Sequence, residues 1–147
     1  MGWWGDWREQ RERRLHARRK QEWWQEVKAM AAAMDGTSPV ELLQRTDETI
    51  GRLAELMASA NARSSGLTRE QKSRSADTRE LDRLVLSGEP PEEYLRDAVE
   101  IRRIGHLLDK EGGDVWMMIV ASRAIDVRHI SLSQISTCWD GIGGWRG

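Results

Sequence analysis

Three histidines, His16, His106 and His129, and one cysteine, Cys138, are the side chains of this 147-residue chain best suited to acid-base or nucleophilic chemistry. None has the company that such chemistry needs. His129 has neither a nucleophile nor an orienting carboxylate at a recognisable spacing, and His106 beside Asp109 reads as a surface histidine on a helix. Cys138, next to Trp139, reads as a buried or tail thiol. Scattered as they are, these residues offer no metal-ligand spacing, and one cysteine allows no intrachain disulfide. No glycine-rich loop follows a strand, and "GIGG" near the end precedes no helix that could bind phosphate. The chain is therefore read as non-enzymatic, with no cofactor.

A different chemistry is written at the other end. The stretch "WWGDWREQRERRLHARRKQEWW", residues 3–24, sets tryptophans on both sides of an arginine-rich run. On a helix, Trp7, Arg11, Arg14, Arg18 and Gln21 fall along one side. Guanidinium groups spaced in this way can follow a phosphate backbone, and each phosphate neutralised releases counterions and makes binding salt-dependent. The same pattern also suits a solvated face held by pairs such as Glu22 with Arg18. The run at 11–20, which adds Arg19 and Lys20, has the composition of a nuclear import signal.

The tryptophans carry two meanings as well. Indoles stack on exposed bases, and Trp3/Trp4 and Trp23/Trp24 would stand about 30 Å apart on a continuous helix. Trp3, Trp4 and Trp7 also suit a hydrophobic anchor for a protein partner, because Trp and Arg dominate interface energies. Trp23 fits a buried helix face, which favours the anchor over the stacking platform.

Composition narrows the classes further. A hydrophobic content of 39% supplies one modest core. The net charge of -1 hides an asymmetry: residues before Met34 hold eight cations against five acids, so this arm is +3 and the remainder -4. A basic arm on an acidic body meets a polyanion, or its own body, through one end. The longest apolar run, "VWMMIVA" at 115–121, is too short for a membrane span. No signal-peptide h-region is visible, and Asp6 stands where myristoylation wants Ser or Thr. A reducing compartment follows as the expectation, cytoplasmic, or nuclear through the run at 11–20. The chain has eight Trp, one Tyr and no Phe. Packing would interchange these aromatics, so the skew points to a constrained coding sequence, as in overlapping genes, which are common among viral accessory proteins.

The elements that must position these residues are helical. From Trp7 to Met34 nothing breaks a helix, and Trp23, Val27, Met30, Ala31 and Met34 share a face. Gly36 ends it. Ser38, Pro39 and Glu41 then form the clearest local signal in the chain, a capping-box start for a helix over about 39–60 that presents Leu43, Ile50, Leu53 and Met57, with Leu42, Leu56 and Ala60 beside them. The two helices are expected to form a hairpin. Residues 61–76, polar and rich in Ser and Arg, read as a mobile linker. Asp77 starts a short helix that stops at Ser87-Gly88, and "EPPEEYLRD" starts another that "EGG" ends. The apolar segment 114–126 is ambiguous by periodicity, and its length and Met-Met-Ala content favour a helix. "VRHISLSQIST" fits a strand or a short terminal helix.

The expected architecture is all-α: a small bundle of four to five helices with a long basic N-terminal helix. It divides into a Trp/Arg-rich arm at 1–22, a helical body at 23–138 with a mobile linker at about 61–76, and a flexible Gly/Trp tail at 139–147. The expected function is that of an accessory or regulatory protein acting through protein-protein binding, with self-association through the first helical hairpin. The alternative is an RNA-binding protein or silencing suppressor. In both, Trp3, Trp4, Trp7, Arg11, Arg14, Arg18, Arg19 and Lys20 make the contacts.

Overall fold

The computed structural model describes residues 20–34 and 36–145, and among these every regular element is helical, with no strand. The first half of the expected basic helix lies outside the described residues. The chain divides into two compact units, Met1–Leu43 and Gln44–Gly147.

In the first unit, α1 runs over residues 20–33. Val27, Met30 and Ala31 are buried, while Trp23 and Met34 are half-buried, as the 3.6-residue period requires of one face. Gly36 (φ 77°) takes the left-handed conformation that ends the segment. Ser38 then caps the next helix: its Oγ accepts from the Glu41 amide at 3.1 Å.

That helix, α2, spans Pro39–Ser64 and continues into the second unit. There it buries Ile50, Leu53, Leu56 and Met57 along one stripe, together with Thr46. The stretch expected to be a linker is helical instead. α2 persists to Ser64, and α3 forms over Arg69–Ser75 behind a complete capping box in which Thr68 and Gln71 exchange backbone and side-chain hydrogen bonds. The cap nucleates a helix that no apolar face announces, since α3 buries no residue.

Helix α4 covers Thr78–Ser87. Asp77 caps it by accepting from the amides of Arg79 and Glu80, and Gly88 (φ 67°) closes it. After a short 3-10 turn at Glu93–Leu95, α5 runs from Arg96 to Arg128. Its two halves are the helices expected on either side of "EGG". Gly113 sits at φ 69°, ψ -162°, a region open essentially to glycine alone, and breaks the helical phase there without a loop. α5 packs on α4 and on α6, which spans Leu132–Trp139. "VRHISLSQIST" thus contains a helix end and a helix start.

The expected flexible tail is also corrected. Trp139, Ile142 and Trp145 are buried, and the Trp139 and Trp145 rings meet edge to face with centroids 5.1 Å apart. Gly105 on α5 makes this possible. With no Cβ in the way, the Trp139 indole lies against the α5 backbone and donates its Nε1–H to the Ile101 carbonyl at 3.0 Å.

Candidate functional site

Of the eight residues assigned to partner contact, Trp3, Trp4, Trp7, Arg11, Arg14, Arg18 and Arg19 lie outside the described residues. Lys20 is exposed at the start of α1. What the structure adds is the continuation of that surface. Lys20, Trp24 and Lys28 recur every four residues and share one side of α1, beside the buried stripe. The Lys28 ammonium lies 6.0 Å from the centroid of the Trp24 ring, within cation-π range. Trp24 also meets Trp23, with centroids 6.5 Å apart and planes inclined at 31°; both rings are half-buried. The spacing of Trp24 and Lys28 was available in the sequence but was obscured by the arginines before it.

The second unit holds a polar centre of which no local stretch of sequence carries a sign. Arg102 on α5 is buried to 1% exposure. Its Nε and Nη2 donate to the two oxygens of Asp82 on α4 at 2.5 and 2.9 Å, and its Nη1 donates to the carbonyls of Cys138 and Asp140 at 3.1 and 2.7 Å. One guanidinium thus joins α4, α5 and the C-terminal segment, with the fork geometry that makes arginine suited to such a site. His106, one turn beyond Arg102, places Nε2 at 2.7 Å from Asp82 Oδ1. The hydrogen bonds from Arg102, seconded by His106, hold the Asp82 carboxyl below its ordinary range against the opposing effect of burial.

His106 therefore does have an orienting carboxylate, 24 residues away in sequence. Asp109, its neighbour in sequence, abuts the backbone of Gly143. A carboxylate-held imidazole can move protons, but among the described residues no hydroxyl or thiol hydrogen-bonds to it. The Cys138 thiol is pushed up to about 11 by burial, which keeps it protonated and weakly nucleophilic at neutral pH. Among the described residues no cluster of His, Cys, Asp or Glu could hold a metal ion.

Two grooves mark the surface of the second unit. One, of about 570 Å³, lies between the end of α2 and the 3-10 turn, beside Arg63, Gly66, Gln71 and Tyr94. The other, of about 290 Å³, has an apolar floor of Ile104, Leu107, Leu108 and Trp116 and a charged rim that includes Arg45 and Glu48. Both rims carry both signs of charge, so neither selects a ligand by electrostatics. Among the described residues no helix is long and apolar enough to cross a membrane. Comparison of the chain with protein families, with curated proteins and with solved structures finds no match.

Proposed function

We propose that the protein is a small, non-enzymatic accessory or regulatory protein that docks on another protein through its Trp/Arg-rich N-terminal region. The observation that carries this reading is the uneven use of tryptophan. Three of the eight, Trp116, Trp139 and Trp145, are buried in the second unit. The other five fall within the first 24 residues, interleaved with seven of the cations, and the described end of that region presents Lys20, Trp24 and Lys28 on one side of α1. Large aromatic rings beside cations are the composition of interface hot spots. In this reading the basic run at 11–20 extends α1 toward the N-terminus as one long helix, which also serves as the signal for nuclear entry.

A second reading rests on the same cations: the region binds RNA, with Arg11, Arg14 and Arg18 on phosphates. The +3 charge of the arm supports it. One titration separates the two. Tryptophan fluorescence is followed while the protein is mixed with a short RNA duplex and with a single strand, at low and at physiological salt. The protein-docking reading expects a flat trace at both salts, together with a co-purifying partner that is lost when Trp3, Trp4 and Trp7 become alanine. Quenching with a steep salt slope that disappears on neutralising the three arginines would replace it with the RNA reading.

A further inference from the structure

Away from its buried stripe, α1 divides its charges between two sides. Lys20, Trp24 and Lys28 form one ridge, in which both lysines are exposed and Trp24 is half-buried. Glu22 and Glu26, two residues to either side of Trp24, stand about 160° round the helix from it. Over residues 20–33 these two lysines and two glutamates are the only charged side chains, so the arm's excess positive charge lies wholly within residues 1–19. The ridge therefore attracts anions through a local pair of ammonium groups and not through a general positive field. The ring between them restricts what can lie there. The Lys28 ammonium stands over the Trp24 ring at 6.0 Å, and the Trp23 ring is 6.5 Å away, inclined at 31°. A half-buried ring with a cation over one face and an indole close by is poorly placed to stack on a base, which needs an open face. Its edge and the lysine stems offer apolar surface that suits an aliphatic side chain.

We propose that this ridge receives an acidic helical segment of a protein partner, which sets an aliphatic side chain against Trp24 between two carboxylates that pair with Lys20 and Lys28. The inference rests on the docking reading above and names the chemistry of its partner. Side chains recurring every four residues form a ridge that fits the groove of another helix. The two lysines stand two turns, about 12 Å, apart along the axis. Carboxylates eight residues apart on the partner helix match them, with the aliphatic residue midway. A partner that approaches from this side meets the lysines and leaves Glu22 and Glu26 behind the helix. Two exposed ion pairs and one apolar contact make a weak complex, with Kd about 100 μM.

The test uses the full chain and fluorescein-labelled, lactam-bridged helical peptides of about 16 residues. One peptide carries Glu, Leu and Glu at intervals of four; a second has the same composition with both glutamates moved to the opposite side. Fluorescence anisotropy should show the second binding at least about tenfold more weakly than the first. Reversing charge with Lys20→Glu and Lys28→Glu together, both at exposed positions that the fold tolerates, should weaken the first peptide about tenfold. A peptide with lysines in place of its glutamates should then bind this double variant in preference to the native chain. Glu26→Gln, on the opposite side of α1, should change binding less than about twofold. Equal binding of the two glutamate peptides, or binding indifferent to the lysine reversals, would overturn the proposal. So would tighter binding of a short RNA duplex or of phosphatidylserine vesicles that the same reversals abolish, since it would assign the ridge to phosphates. If neither peptide binds while a co-purifying partner is still lost with Trp3, Trp4 and Trp7, the inference fails and the docking reading stands. If the first peptide binds as expected but those tryptophan substitutions leave the partner complex intact, the ridge keeps its ligand and the docking reading fails.

Discussion

At the scale of single residues, Gly105 and Asp82 can be weighed against plain alternatives. Alanine in a helix interior is favoured over glycine by about 1 kcal/mol, and at Gly51 on α2 that gain is available, because an added Cβ meets Arg128 Nη2 at an ordinary 3.7 Å. At Gly105 the same atom would stand 2.6 Å from Trp139 Cδ1 and 2.9 Å from Ile142 Cδ1. The indole cannot retreat without giving up its hydrogen bond to Ile101, so overpacking outweighs propensity. Urea unfolding should therefore show Gly51→Ala stabilised by several tenths of a kcal/mol and Gly105→Ala destabilised by about 1–3 kcal/mol. Asp82 makes a prediction about pH. Its carboxyl titrates lower in the folded chain than in the unfolded one, so its contribution is complete above the unfolded value and is lost as pH falls through the folded value. Asp82→Asn leaves the buried Arg102 without its counter-charge; a buried pair would lose about 3–5 kcal/mol, and because Asp82 is 35% exposed and water screens it, the cost here falls to about 1–3 kcal/mol. The gap between the native chain and this variant should be widest near neutrality and close steadily below about pH 4. A gap constant from pH 7 to pH 3 would mean that the ionised pair contributes nothing.

At the scale of elements, caps decide where helices begin, and one of them sets a further test. Thr68 and Gln71 close both bonds of a capping box, yet α3 has no buried residue to hold it from below. What holds it from the side is Arg74, which donates to the Tyr94 hydroxyl at 2.6 Å and reaches Glu80 and Glu92. Thr68→Ala should thus cost about 1 kcal/mol locally. Hydrogen exchange should quicken about fivefold at the α3 amides while the global melting temperature barely moves. The same chemistry explains what the sequence disclosed. Ser38, Asp77 and Gly88 stood at boundaries between polar and apolar periodicity, so caps and pattern agreed and α2 and α4 were legible. α3 carried the cap without the pattern, and its serines and arginines read as linker. The C-terminal segment failed for the opposite reason. Its glycines suggested freedom, but its order comes from Arg102, Ile101 and Gly105, more than 30 residues earlier, and no local window contains both partners. The Asp82–Arg102–His106 centre was hidden in the same way, while the aromatic and basic character of the N-terminal region was plain because it is a property of composition.

At the scale of the whole molecule, charge and aromatic content are divided along the chain, and the division can be tested by removing one part. Residues 1–19 hold six arginines against three acids and three of the eight tryptophans. A chain that starts at residue 20 therefore changes in net charge from -1 to -4 while keeping every residue that is buried among the described residues. If the N-terminal region serves a partner, this truncation should preserve the far-ultraviolet helix signal of the described residues and the urea midpoint of the intact chain, and abolish complex formation. Salt then identifies the partner's class by magnitude. Three phosphate contacts by Arg11, Arg14 and Arg18 on a duplex would lower affinity about 40-fold between 50 and 200 mM salt. An interface anchored by indole rings owes most of its energy to apolar burial, which this range of salt hardly changes, and its rim charges alter affinity only a few-fold. A partner complex that loses less than about fivefold over that interval, and that survives neutralisation of the three arginines but not truncation of the three tryptophans, is the outcome the docking proposal requires. A 40-fold loss abolished by the arginine substitutions would instead assign the same nineteen residues to nucleic acid.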